Sequence, residues 1–144
     1  MSGARAWRGN LPFESLYTAG LAGQKFFAAL KEKAEILGSR CGACAVTYVP
    51  ARRYCERCMA ELPEGVPVGN EGTVVSLTTV HVGLDGERLE KPVSAAAVRL
   101  DGATTVLIHR LLGPARIGDR VRVAFERRRK GSILDIQGFS PVTK

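Results

Sequence analysis

Hydrophobic and polar positions change period along the chain. In Gln24–Glu35 (QKFFAALKEKAE), Phe26, Phe27, Leu30 and Ala34 fall on one broad face, and Lys25, Glu32 and Lys33 occupy the rest. That is the pattern of an amphipathic helix, with Gly38 at or beyond its end. Upstream, Leu11–Leu21 carries a weaker pattern that suits a short helix broken by Gly20 and Gly23. From Glu71 onward the chain reads as all-β, although its first strand alternates poorly. Thr73–Val82 is rich in β-branched residues, and Val93–Leu100 and Thr104–Leu111 flank the turn signal Asp101-Gly102. Arg120–Glu126 alternates, with Val121, Val123 and Phe125 on one side and Arg120, Arg122 and Glu126 on the other. Ser132–Gly138 supplies a fifth strand after Lys130-Gly131, and Gly83–Pro92 reads as a long loop. Five short strands in about 70 residues suit a small closed barrel of the OB type. Between the cysteine-bearing segment and these strands, residues 63–70 (PEGVPVGN) read as a linker or a turn-rich passage. The expected organisation is a helical segment (1–35), a cysteine-bearing ribbon (36–68) and a mainly β barrel domain (69–144).

The chemistry sits in the middle segment. Cys41-Gly-Ala-Cys44 and Cys55-Glu-Arg-Cys58 are two Cys-x-x-Cys pairs that account for all four cysteines of the 144-residue chain. Each pair grips an ion from one side, and two pairs complete a tetrahedral four-sulfur site. The intervening AVTYVPARRY can form a short hairpin that folds one pair onto the other. Such a small core cannot hold itself, so the metal supplies folding free energy. One structural zinc per chain is expected, with rubredoxin-like iron as the chemical alternative. Four thiolates close the coordination sphere and leave no position for substrate. Arg40, Arg52, Arg53 and Arg57 lie near enough in sequence to offset the site's negative charge.

Composition narrows the function. The net charge is +7, which favours phosphate-bearing or acidic partners. The densest basic cluster is Arg127, Arg128, Arg129 and Lys130, preceded by Arg120 and Arg122 on the strand's outer side. This stripe is a candidate contact for phosphate or a partner, against the plainer reading of a solvated hairpin tip. His81 and His109 stand apart from any serine or acid pattern, and no glycine pattern matches a phosphate loop. The chain has no apolar run long enough to span a membrane and no secretory pattern at its start, so a cytoplasmic protein is expected. Aromatic residues make up only 6%, thin for a surface that stacks single-stranded nucleic acid, which is the competing role for a basic OB-fold.

Helix, four-cysteine ribbon and barrel together resemble one family, the acyl-CoA-associated zinc-ribbon and OB-fold proteins known as domain of unknown function 35. The resemblance is carried by FFAALKEKAEILGSRCGAC, YVPARRYCERC, EGTVVSLTTV, KPVSAAAVRLDG and IGDRVRVAF. It implies a non-catalytic accessory subunit in a hetero-oligomer with a thiolase-like enzyme, or with a related synthase, aldolase or hydratase. It also implies help with assembly or acyl-CoA binding, and metal ligation by Cys41, Cys44, Cys55 and Cys58. The glycine usual after each pair is replaced by Ala45 and Met59. An accessory subunit needs a docking element, and the Phe26, Phe27 and Leu30 face is the expected one, against the simpler reading that the helix packs on its own barrel.

Overall fold

The computed structural model describes Gly9 and residues 14–142. Helix α1 spans Gly20–Lys33 and is followed by β1 (Ile36–Cys41), β2 (Val46–Tyr48) and β3 (Gly65–Val68). These strands form one antiparallel sheet in the order β2-β1-β3. Five more strands build the second sheet: β4 (Glu71–Val82), β5 (Arg88–Leu100), β6 (Leu107–Arg110), β7 (Arg120–Phe125) and β8 (Ile136–Pro141). Their order is β6-β5-β4-β7-β8. The sheet closes where Leu111 and Phe139 bridge in parallel and Leu112 N–H donates to the Phe139 carbonyl at 2.8 Å. This is the five-stranded OB topology expected from the sequence, preceded by one helix and the ribbon.

The strand assignments hold where alternation is sharp. In β7, Val121 and Val123 are buried and Arg120 and Arg122 exposed. Gly72 of β4 lies between β5 and β7, and a Cβ there would meet the Arg99 carbonyl at 2.4 Å, so only glycine lets the three strands approach.

Several expectations are corrected. Gly83–Pro92 is not a long loop: only a tight turn follows Gly83, and β5 begins at Arg88. The charged residues there reflect an exposed hairpin arm, not the absence of a strand. Residues 63–70 are not a loose linker, because β3 within them pairs with β1, Ile36 facing Val68. An edge strand tolerates Pro67. The last strand begins at Ile136, after a one-turn 3-10 helix at Ile133–Asp135 that Ser132 caps. Thr104 and Thr105 lie outside β6 and serve β2 instead: Thr104 and Thr105 N–H donate to the Thr47 carbonyl, while their hydroxyls accept from Thr47 and Val49 N–H. The helix starts earlier than expected and runs through Gly23; the expected Leu11–Leu21 helix falls partly outside the described residues, and 14–19 carry none of it.

The docking expectation for the helix is also corrected. Phe26 is 2% and Leu30 0% exposed, in one core with Ile36, Val49 and the barrel's Val98, Val121, Ile136 and Phe139. Phe27 is half-buried against the same core. Helix faces this apolar are covered by the nearest available core, here the molecule's own. Arg129 secures the arrangement, its Nε donating to the Lys31 carbonyl at the end of α1 at 3.0 Å. That cation suits the negative end of the helix dipole.

Two predictions follow from this packing. Phe26→Ala empties a fully covered site and should cost about 3–5 kcal/mol, read by denaturant unfolding of the metal-loaded chain. A cost under about 1 kcal/mol, the usual result at a surface site, would show that α1 is not part of the core. The second concerns Asp135, a buried carboxylate that accepts from Lys130, Gly131 and Ser132 N–H at 2.8, 2.7 and 3.3 Å. Burial pushes its pKa up, but the three donors outweigh that and hold it below the ordinary 3.8. A depressed folded pKa contributes stability above the unfolded value and loses it as pH falls toward the folded one. Asp135→Asn should therefore lower the melting temperature at neutral pH, and the gap to the native chain should narrow below about pH 4. A gap independent of pH would contradict the ionised carboxylate.

Candidate metal centre

The first cysteine pair lies on the turn between β1 and β2, with Cys41 ending β1. The second follows Tyr54, which bridges to Glu61 in an isolated antiparallel step. Each pair thus sits inside its own short antiparallel hairpin. The expected single hairpin between the pairs is replaced by these two, because the pairing partner of β2 is β1. Cys55 N–H donates to the Ala60 carbonyl, and Met59 N–H to that of Cys55, both at 2.9 Å, which tightens the second turn.

The four sulfurs of Cys41, Cys44, Cys55 and Cys58 lie within 4.8 Å of one another, and Cys41 and Cys58 are 3.6 Å apart. A zinc tetrahedron with bonds of about 2.3 Å has edges of about 3.8 Å, so the donor set fits one ion. Cys41 and Cys55 are buried, Cys44 half-buried and Cys58 exposed. Cys41 and Cys55, with Cys44 packed against them, share a small cluster with Val46, Tyr48 and Leu62, separate from the barrel core.

Tyr48, invisible to motif reasoning, is part of the centre. Its hydroxyl is 3.3 Å from the Cys55 sulfur and its ring is fully buried. This hydrogen bond is the main reason the Cys55 thiol is lowered to about 6; burial opposes it, and the Cys58 and Arg57 backbone N–H groups reinforce it. The same bond is the main cause that pushes the Tyr48 hydroxyl up to about 12. Cys44 is pushed up to about 12, chiefly by its hydrogen bond with Cys58 and then by burial. With four thiols this close, one thiolate forms readily and further ones repel; a divalent cation relieves that repulsion.

Ala45 and Met59, the residues after each pair, have φ of 52° and 59°. These are left-handed conformations that favour glycine, and a non-glycine residue there costs about 1–2 kcal/mol. The departure from glycine is therefore strain that the closed site must hold. Of the nearby arginines, Arg52 lies over the Tyr48 ring at 5.2 Å and pairs with Glu56, and Arg53 pairs with Glu61. Both are already matched to carboxylates, so they support the hairpins more than they neutralise the sulfurs.

The remaining predicted residues lie elsewhere. Arg120 holds Asp101 through two hydrogen bonds of 2.8 and 2.6 Å, and Arg122 Nε meets Glu71 at 2.8 Å. Arg127, Arg128 and Lys130 are exposed in the loop after β7, while Arg129 is the helix anchor. The expected stripe is thus divided into paired, anchoring and exposed arginines. His109 stacks edge-on against Phe139 with centroids 6.4 Å apart, and burial lowers its pKa. His81 is exposed on β4. Neither histidine has an acid partner among the described residues.

Cys55→Ser should reduce the zinc content of purified, reduced protein from about one per chain to a small fraction and loosen the ribbon. Elemental analysis checks this, and a native chain without zinc or iron would contradict the site.

Comparison with known proteins agrees with this geometry. A family profile described as the rubredoxin-like zinc ribbon domain of ChsH2 matches residues 31–62, and one described as the C-terminal OB-fold domain of ChsH2 matches 65–126. A curated relative from Methanocaldococcus jannaschii, a DUF35 domain-containing scaffold protein, is 27% identical over 73 residues, 50% of this chain and 52% of that one. The chain thus spans about half the length of that relative. The crystal structure of a DUF35-family protein of unknown function from Sulfolobus solfataricus is 32% identical, covers 72% of this chain and 78% of that one, and has a TM-score of 0.62. The Ltp2-ChsH2(DUF35) aldolase shares the fold at 24% identity and TM-score 0.59, over 81% of this chain and 91% of that one. With its ribbon, its barrel and this level of identity over most of a solved relative, the chain belongs to the DUF35 family of zinc-ribbon and OB-fold proteins.

Proposed function

We propose that this chain is a non-catalytic, zinc-stabilised scaffold subunit of an acyl-CoA-processing enzyme, with a thiolase-like enzyme as the partner and the aldolase or hydratase classes next. The observation that carries the reading is the closed four-sulfur centre, which offers no open coordination position. Among the described residues no nucleophile and base stand together elsewhere. The curated relative is named a scaffold protein, and a structural neighbour is named as an aldolase containing a DUF35 component. The described parts of the three segments, 14–35, 36–68 and 69–142, act in this reading as one unit. The exposed Arg127, Arg128 and Lys130 are the candidates for an acyl-CoA phosphate or an acidic partner surface.

The nucleic-acid alternative is less well served. The barrel's Phe139 is buried and Phe125 half-buried, and the exposed Tyr17 and Tyr54 lie outside the barrel. An OB-fold that stacks bases needs aromatics on its strands.

The test is reconstitution with a thiolase-like enzyme from the same source. The two should co-elute at fixed stoichiometry, and the chain alone should turn over no acyl-CoA. Neutralising Arg127, Arg128 and Lys130 should weaken the association and flatten its salt dependence. Turnover by the rigorously purified chain, or a salt-dependent gel shift with single-stranded oligonucleotide in place of complex formation, would overturn the reading.

A further inference from the structure

The four ligand sulfurs are not equivalent to an approaching reagent. Held by a divalent ion, all four are thiolates, so access and hydrogen bonding decide which one reacts. Cys55 is the best protected. It is fully buried, the Tyr48 hydroxyl lies 3.3 Å from its sulfur, and the Arg57 and Cys58 backbone N–H groups add to that bond. Hydrogen bonds of this kind draw electron density off a ligating sulfur and weaken it as a nucleophile. Cys41 is buried at the end of β1, and Cys44 is half-buried. Cys58 is the exposed ligand, and its chain neighbours Arg57, Met59 and Ala60 are exposed with it. Its partners among the described residues are the other ligand sulfurs, with that of Cys41 3.6 Å away.

We propose that Cys58 is a modification site, the point at which a peroxide enters the centre, and that Cys41 resolves the product into a disulfide. The Cys58 thiolate attacks one peroxide oxygen; an S–O bond forms, the O–O bond breaks and hydroxide leaves with the electron pair. The Cys41 thiolate then attacks the sulfenic sulfur; the S–S bond forms, the S–O bond breaks and a second hydroxide leaves. Each of the two sulfurs has lost one electron, and one peroxide has become two hydroxides, which solvent protons convert to water. The new bond joins the first Cys-x-x-Cys pair to the second and leaves Cys44 and Cys55 as the remaining thiolates. Two ligands hold zinc far more weakly than four, so oxidation releases the ion. Redox-responsive cysteines share this arrangement, an exposed thiolate beside a second sulfur able to resolve it. Because Cys41 ends β1 and β1 pairs with β2, the loss of metal is passed on to the ribbon's contact with the barrel. This chemistry goes beyond the scaffold reading and requires no partner enzyme.

Hydrogen peroxide added to the full metal-loaded chain should release about one zinc per disulfide formed, read with a colorimetric chelator. Trypsin cuts after Arg40, Arg52, Arg53 and Arg57, so Cys41, Cys55 and Cys58 fall on three separate peptides. Mass mapping should find the Cys41 peptide joined to the Cys58 peptide, with fragmentation placing the bond at Cys41 and not at Cys44. Iodoacetamide, whose carbon takes the thiolate as iodide leaves, should label Cys58 of the metal-loaded chain at least about tenfold faster than Cys55. Tyr48→Phe keeps the buried ring and removes the hydroxyl, and should speed labelling at Cys55 while leaving Cys58 unchanged. Cys58→His keeps a ligand for zinc without the thiolate, so its zinc should survive peroxide that empties the native chain. A native chain that keeps its zinc under peroxide, labelling that starts at Cys55, a disulfide other than Cys41–Cys58, or zinc lost from Cys58→His at the native rate would each overturn the proposal.

Discussion

Strand β2 is the constraint on which the rest of the structure depends. All three of its residues are buried. One edge pairs with β1 in the ribbon. The other is hydrogen-bonded to Thr104 and Thr105 of the barrel, through backbone and hydroxyl groups alike. Tyr48 points into the metal cluster, and the next residue, Val49, into the main core. A strand this short holds its place only when both edges and both faces are satisfied. The metal fixes the β1–β2 turn, the turn fixes β2, and β2 fixes the barrel loop. Helix α1 completes the unit from the far side, since Phe26 and Leu30 bury against the same core that receives Val49.

The legible parts of the molecule were those fixed by local chemistry. Cysteine spacing alone located the metal centre, because a tetrahedral ion tolerates few loop lengths. Alternation located β7, whose two faces meet different solvents. What escaped was set by distant partners. The strand character of residues 65–68 depends on β1, some thirty positions earlier, and their Pro and Gly content pointed the other way. Tyr48 reads as one more strand residue until the Cys55 sulfur is placed beside it. Arg129 reads as a member of a basic run until the end of α1 arrives at its guanidinium. The apolar helix face was visible, but what covers it was not, since sequence gives the amount of apolar surface and not its address.

For function, the division of the arginines matters more than their number. Arg120 and Arg122 spend their charge on Asp101 and Glu71 and so rigidify the outer face of β7. Such exposed pairs contribute little stability individually. They do remove those cations from competition for an external phosphate. A rigid body with a sealed metal and a charged loop suits a subunit that positions other molecules.

The central claim, that metal, ribbon and barrel form one cooperative unit through β2, is tested most directly by native-state hydrogen exchange with and without bound metal. Chelation should deprotect the amides of Thr47 and Val49, and with them those of Thr104 and Thr105 across the junction, because all four hydrogen bonds depend on one strand. If stripping the metal frees the cysteine turns while the four junction amides stay fully protected, the ribbon is an independent appendage and the account is wrong.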